Sequence, residues 1–161
     1  MCDYVAVTSA IPAAIDYLVA TIAALPECAL PVVVEDGWPV RSAPTGVVIG
    51  VIPGDGTTDD EVTHAQLGAD MEWEVFEIPA MVWAHVGGSS AKTARDAAFA
   101  VFNAILTMIR VNPAGRTLGG ALHSNFAFIH NVRVVQTDNA EDAGEGRMCE
   151  IRFSVGCKNR Y

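Results

Sequence analysis

The sequence predicts an α+β domain, a largely antiparallel sheet of four to five strands covered on one face by two helices. Three observations predict it. Residues 9–25 and 90–111 repeat apolar side chains at helical spacing. Five further stretches read as strands and interleave with the helices in the order α-β-β-β-α-β-β. The last two strands alternate apolar and polar residues cleanly enough to form an antiparallel hairpin whose outer face is wet or meets a polar partner. No internal repeat or linker divides the 161 residues, so a single domain is expected.

The elements follow in order. The first few residues are expected to be loose. Ser9 caps the first helix, Pro12 falls in its first turn and Pro26 ends it. Ile11, Ile15, Leu18, Ile22 and Leu25 make its buried stripe. Residues 31–35, PVVVE, read as a short strand, and Asp36-Gly37-Trp38-Pro39 as a turn. Residues 45–52 form a second strand, apolar on both faces and therefore central. The two strands are a candidate hairpin. Residues 53–70, PGDGTTDDEVTHAQLGAD, read as a loop of a length that is usually functional or mobile in a compact domain. The third strand covers 71–86. Trp73 and Val75 alternate with Glu72 and Glu74 at its start, and Phe76, Ile78, Val82 and Ala84 then take over the buried parity. Glu77 and Pro79 at the change predict a bulge or an edge position.

Residues 90–111 make the long helix, capped by Ser89 or Ser90 and stopped by Asn112-Pro113-Ala114-Gly115. Ala94, Ala98, Val101, Phe102, Ile105 and Ile109 share its buried face. Lys92, Asp96, Asn103, Thr107 and Arg110 share a narrow polar stripe. The apolar arc covers roughly 240°, about twice what a helix lying on one sheet requires. Phe99 stands on the polar stripe beside Lys92 and Arg110. A second surface, expected to be another subunit, should therefore meet this helix, with Phe99, Lys92, Arg95 and Arg110 as candidate contacts. A Gly-rich connector leads to the strand 126–137. There Phe128, His130, Val132 and Val134 share one face, and Asn131 and Arg133 the other. The acidic turn 138–146, DNAEDAGEG, precedes the strand 147–158, with Cys149, Ile151, Phe153 and Val155 inward and Glu150, Arg152 and Ser154 outward.

Composition excludes several classes. Hydrophobic residues make up 51% and charged ones 18%, unlike a disordered chain. A net charge of −9 repels phosphate backbones, which argues against sequence-general nucleic-acid binding. The apolar run 11–25 lacks a basic flank, carries Pro12 and Asp16, and is too short for a bilayer. Neither a secretory signal nor a membrane span is expected. Cys2, Cys28, Cys149 and Cys157 contain no CxxC. Cys149 and Cys157 would lie on one strand at ~3.3 Å per residue, too far apart to bridge, so reduced thiols are expected.

No motif carries a specific chemistry. Gly87-Gly88-Ser89-Ser90-Ala91-Lys92-Thr93 sits where a phosphate loop would, but Val86 and Ala91 occupy the positions that need glycine. His64, His85, His123 and His130 lack the spacing of a zinc site, and the parity of His130 reads as a core histidine. Asp55, Asp59, Asp60 and Glu61 do not follow the EF-hand pattern. No GxSxG elbow marks a nucleophile. No metal or cofactor is expected.

The layout as a whole resembles the tail terminator, or tail completion, proteins of long-tailed bacteriophages. The residues that carry the likeness are the capped helix 9–25 and the early strand pair around Asp36-Gly37-Trp38-Pro39. The long strand ending Trp83-Ala84-His85-Val86, the Arg95-bearing helix, and the final hairpin with Arg133 and Arg152 complete it. The likeness spans nearly the whole chain and is one of element order. It implies a small non-enzymatic virion protein that closes into a homohexameric ring on the tail tube. Such a ring stops tube polymerisation and presents the surface to which the head-tail connector attaches. DNA passes through its lumen without specific binding. The expected location is the virion, and the host cytoplasm during assembly. On this reading Asp138, Glu141, Asp142 and Glu145 line the lumen or a docking loop, and Asp55, Asp59, Asp60 and Glu61 sit on a mobile assembly loop. Two other readings stand beside it: a head-completion or neck protein, and a small cytosolic α+β enzyme or ligand-binding domain with its site under the 53–70 loop.

Overall fold

The computed structural model describes residues 9–37, 43–52, 60–61, 63–67, 73–87, 90–123, 126–138 and 146–160. The elements are α1 (Ile11–Ala23), β1 (Val33–Asp36), β2 (Thr45–Ile49), β3 (Val51–Ile52), β4 (Asp60–Glu61), β5 (Thr63–Leu67), β6 (Trp73–Val86), α2 (Ala91–Val111), α3 (Pro113–Arg116), β7 (Phe128–Asp138) and β8 (Arg147–Arg160). Five strands of the main sheet run in the order β1-β2-β6-β8-β7, and β5 pairs with β6 as a sixth. The α+β class with helices on one face holds as expected. The sheet is mixed, because β1 runs parallel to β2. The early pair is therefore no hairpin. The connection is also longer than a hairpin turn, and the Gly37 N–H donates to the Ile49 carbonyl at the far end of β2.

The 53–70 stretch is less loop-like than it reads. Asp60 and Glu61 fall in β4, which pairs with β3 in a small second sheet, and β5 returns along β6. Gly50, at φ +92°, breaks β2 from β3, and its N–H donates to the Pro79 carbonyl at 2.8 Å. That bond explains Pro79. Strand residues turn their N and O to the same side, so the donor that Pro79 lacks would face the edge where β6 exchanges β5 for β2. Pairing with β8 continues unbroken from Trp73 to Val86. β6 thus has no bulge at Glu77 and Pro79 and is a central strand, but Pro79 does sit at a local edge, in the gap between the β5 and β2 pairings.

One core lies between the sheet and the helices. It takes Val47 and Ile49 from β2, Phe76, Ile78, Ala80, Val82 and Ala84 from β6, and Cys149, Ile151, Phe153, Val155 and Cys157 from β8. α2 contributes the whole predicted stripe together with Met108. In α1 the stripe centres on Ala14, Leu18 and Ile22, while Ile11, Ile15 and Leu25 are only half-buried. Val48 and Met81 form a smaller cluster on the opposite face, packed by Trp83, so β2 is apolar on both faces as expected. The Trp83 ring lies over Gly46, where a Cβ would fall 2.4 Å from Cζ2.

Both helix starts differ in detail from their reading. Ala10 is the capping residue of α1 by position, and Ser9 before it contributes as read, its hydroxyl accepting from the Ile11 N–H at 3.2 Å. Glu74 on β6 completes the cap. Its carboxylate accepts from the Ala10 N–H at 2.8 Å and from the Ser9 hydroxyl at 2.5 Å, and it is wholly buried. The even parity therefore faces the core from Glu74 onward, and the β6 core parity does not switch. Ser90 caps α2 by position, but its hydroxyl meets the Thr93 hydroxyl and not a backbone amide. Gly115 starts no coil. It lies buried in α3, and a Cβ there would fall 2.0 Å from the Met108 carbonyl, so only glycine lets α3 close on the end of α2.

β7 and β8 form the predicted antiparallel hairpin, with one departure. Asn131 sits at φ +53° and the register shifts between His130 and Arg133. A bulge reverses which side chains face inward. Phe128 and His130 stand on the outer face opposite Gly156 and Ser154, and Val134 is aligned with inward-facing Ile151. The four residues read as one face are split between two, and His130 is not a core histidine.

Candidate functional site

The described residues hold no group of three His, Cys, Asp or Glu able to bind a metal. The nearest approach to a catalytic set is on the outer sheet face. There His130 reaches across Gly156 to Glu77, with Nε2 3.4 Å from the carboxylate, and its ring packs against Phe128 at 5.1 Å. Only glycine at 156 permits this, since a Cβ would lie 2.6 Å from the Phe128 ring. Nε2 is buried and forms no hydrogen bond, so the neighbouring Ser154 has no base in contact. This arrangement ties β7 to β6 across β8.

The thiols are equally unsuited to chemistry. Burial pushes Cys157 from an ordinary 9.0 up to about 12, with Glu74 adding to the rise, and Cys28 up to about 11, with Glu27 adding. Cys149 is raised by burial, with Arg95 opposing and Glu150 adding. A raised acid keeps its proton in the fold after the unfolded chain has lost it. Stability from these groups is therefore complete below 9.0 and declines as pH rises toward about 12. Urea midpoints should fall between about pH 8 and about pH 10.5, and fall less in Cys157→Ala. Equal slopes in the two proteins would contradict this, as would rapid labelling of native Cys157 at about pH 8.

The structure separates the sequence-predicted contact residues. Lys92, Arg95 and Arg110 are exposed on α2, and Lys92 pairs with Asp96 one turn on, a solvated bond that contributes little. Phe99 is not an exposed aromatic. It is half-buried, because its ring meets Phe102 edge-on at 6.2 Å and 89°. Asp138 ends β7, aligned with Arg147. Glu141, Asp142, Glu145, Asp55 and Asp59 lie outside the described residues. Asp60 and Glu61 are strand residues of β4.

Two other surfaces come together at the C-terminal half of α2. One is a groove of about 410 Å³ between α2 and the start of β7, lined by Leu106, Ile109, Phe126, Phe128 and Ile129 and flanked by Arg110 and Arg116. The Arg116 Nε donates to the Arg110 carbonyl at 2.8 Å, which holds the two arginines side by side. Phe126 is 63% exposed and Phe128 47%. The groove opens onto β7, which pairs only with β8 among the described strands and also exposes Val132 and Val134. Native proteins usually charge, shorten or cover such an edge. The other surface is a groove of about 550 Å³ on the far flank of α2, between Leu25 and Glu27 on one side and Ala100, Ala104, Met108 and Val111 on the other. Val111 is 72% exposed there. Sequence reasoning missed both grooves. Phe128 shares the parity read as core-facing until the bulge turns it out, and Asn131, a residue that tolerates φ > 0, was the available signal.

Among the described residues, no helix is long and apolar enough to cross a membrane. No protein-family model matches the chain, and a search of curated proteins returned no match.

Proposed function

We propose that this chain is a structural subunit that closes with copies of itself into a ring on the tail tube of a long-tailed bacteriophage. The ring ends tube growth and presents a surface to the head-tail connector. The observation that carries this reading is the long β7 edge with Phe126, Phe128, Val132 and Val134 exposed along and beside it. Apolar side chains concentrated on an edge strand mark a surface made to be covered. Further support comes from the grooves. One offers two arginines and the other a single glutamate, so neither brings together an acid and a base. The element order read from the sequence, which resembles that of tail terminators, supplies the rest.

The test is sedimentation and electron microscopy of the purified chain, alone and with tail tubes assembled in vitro. Closed rings around a central hole, and tubes that stop elongating when the chain is added, are the expected result. A chain that stays monomeric at every concentration and leaves tube growth unchanged would refute the proposal.

A further inference from the structure

The two grooves on α2 differ in charge. The β7-side groove carries Arg110 and Arg116, neither of which forms an ion pair among the described residues. In a chain with 10 basic and 19 acidic residues, two adjacent unpaired arginines at an apolar groove are an unusual concentration of positive charge. The opposite groove carries Glu27, also exposed and without an ion pair among the described residues. Its α2 wall sets the small Ala100 and Ala104 among Asn103, Thr107, Met108 and Val111, around a groove of about 550 Å³. The first surface projects the exposed Phe126 ring, and the second has room to receive it.

We infer that neighbouring copies meet head to tail, with Phe126 of one copy seated in the Leu25–Val111 groove of the next. Arg110 and Arg116 of the first copy then face Glu27 of the second. This deepens the ring proposal and rests on it. A two-fold contact is disfavoured by charge on either surface. Pairing the β7-side groove with itself sets arginines against arginines, and pairing the other sets Glu27 against Glu27. Only the mixed contact brings opposite charges together around an apolar centre. A head-to-tail contact repeats, and its geometry decides between filament and ring.

The experiment uses two variants of the full chain that each disable one surface. The first is Arg110→Glu with Arg116→Glu, and the second is Glu27→Arg with Ala100→Trp. All four positions are exposed, and unchanged thermal melts verify the fold. Phe126→Asp is an alternative to the first. Each variant alone should self-associate at least roughly 10-fold more weakly than wild type. An equimolar mixture retains one intact contact and should give a complex of twice the monomer mass and nothing larger. Variants that assemble like a wild type that does assemble would overturn the pairing while leaving the ring proposal standing. Blocked variants whose mixture gives no pair would also overturn it. A wild type that never assembles, with or without tubes, removes the ring proposal and this pairing together.

Discussion

Phe153→Ala is expected to destabilise the fold by about 3–5 kcal/mol, the usual range for a large aromatic removed from a core. Phe153 is 2% exposed on the helix side of β8. Its ring meets Phe102 of α2 at 5.2 Å and 65°, an edge-on contact that joins helix to sheet. Across the ladder it faces Ala80, too small to fill the space the ring would leave. β8 is hydrogen-bonded on both sides and cannot collapse inward, so most of the cavity should persist. Against a typical total of about 5–15 kcal/mol the loss is severe. Urea unfolding should show a lower midpoint at unchanged slope. A loss under about 1 kcal/mol would mean that the α2–sheet seam is looser than the packing indicates.

Glu74→Ala comes next, with an expected loss of about 1–3 kcal/mol from a buried donor left without an acceptor and a second, part-buried bond lost. The buried donor is the Ala10 N–H, and the second bond comes from the Ser9 hydroxyl. Asn159, directly opposite on β8, is fully buried as well. Its carbonyl oxygen accepts from the His123 N–H at 2.8 Å, while its Nδ2 has no hydrogen-bond partner among the described residues. The acceptor oxygen of Asn159 is thus already engaged and its Nδ2 can only donate, so Asn159 does not replace the lost carboxylate. Hydrogen exchange should locate the damage at the first turn of α1, and Glu74→Gln, which keeps one acceptor oxygen, should lose less. If exchange at α1 is unaltered while global stability falls, Glu74 acts through the sheet and does not anchor the helix.

Much of the architecture was legible in the residues. The buried stripe of α2, the inward parity of β8 and the antiparallel final hairpin follow from local periodicity. Such periodicity survives folding because burial must satisfy the 3.6 and 2.0 repeats of helix and strand. The errors share one cause. Glu74 was read as outward because carboxylates normally are, and only the arrival of the α1 N-terminus makes burial there tolerable. Phe128 and His130 were read as inward with Val132 and Val134 because apolar strand residues normally are, and one φ > 0 residue at Asn131 turned the parity over. Phe99 was read as exposed because a helical wheel does not show Phe102 leaning against it. The parallel β1 and the strands β3 to β5 depend on which edges were free when those segments arrived, which no window of sequence records.

From the sequence alone came the α+β class, the core stripes, the net negative charge and the want of any catalytic spacing, all of them local or additive properties. Tertiary structure decided the order of the sheet, the carboxylate that holds α1, and the two oppositely charged grooves on α2. Each of these joins residues far apart in the chain, so it exists only once distant segments are brought together.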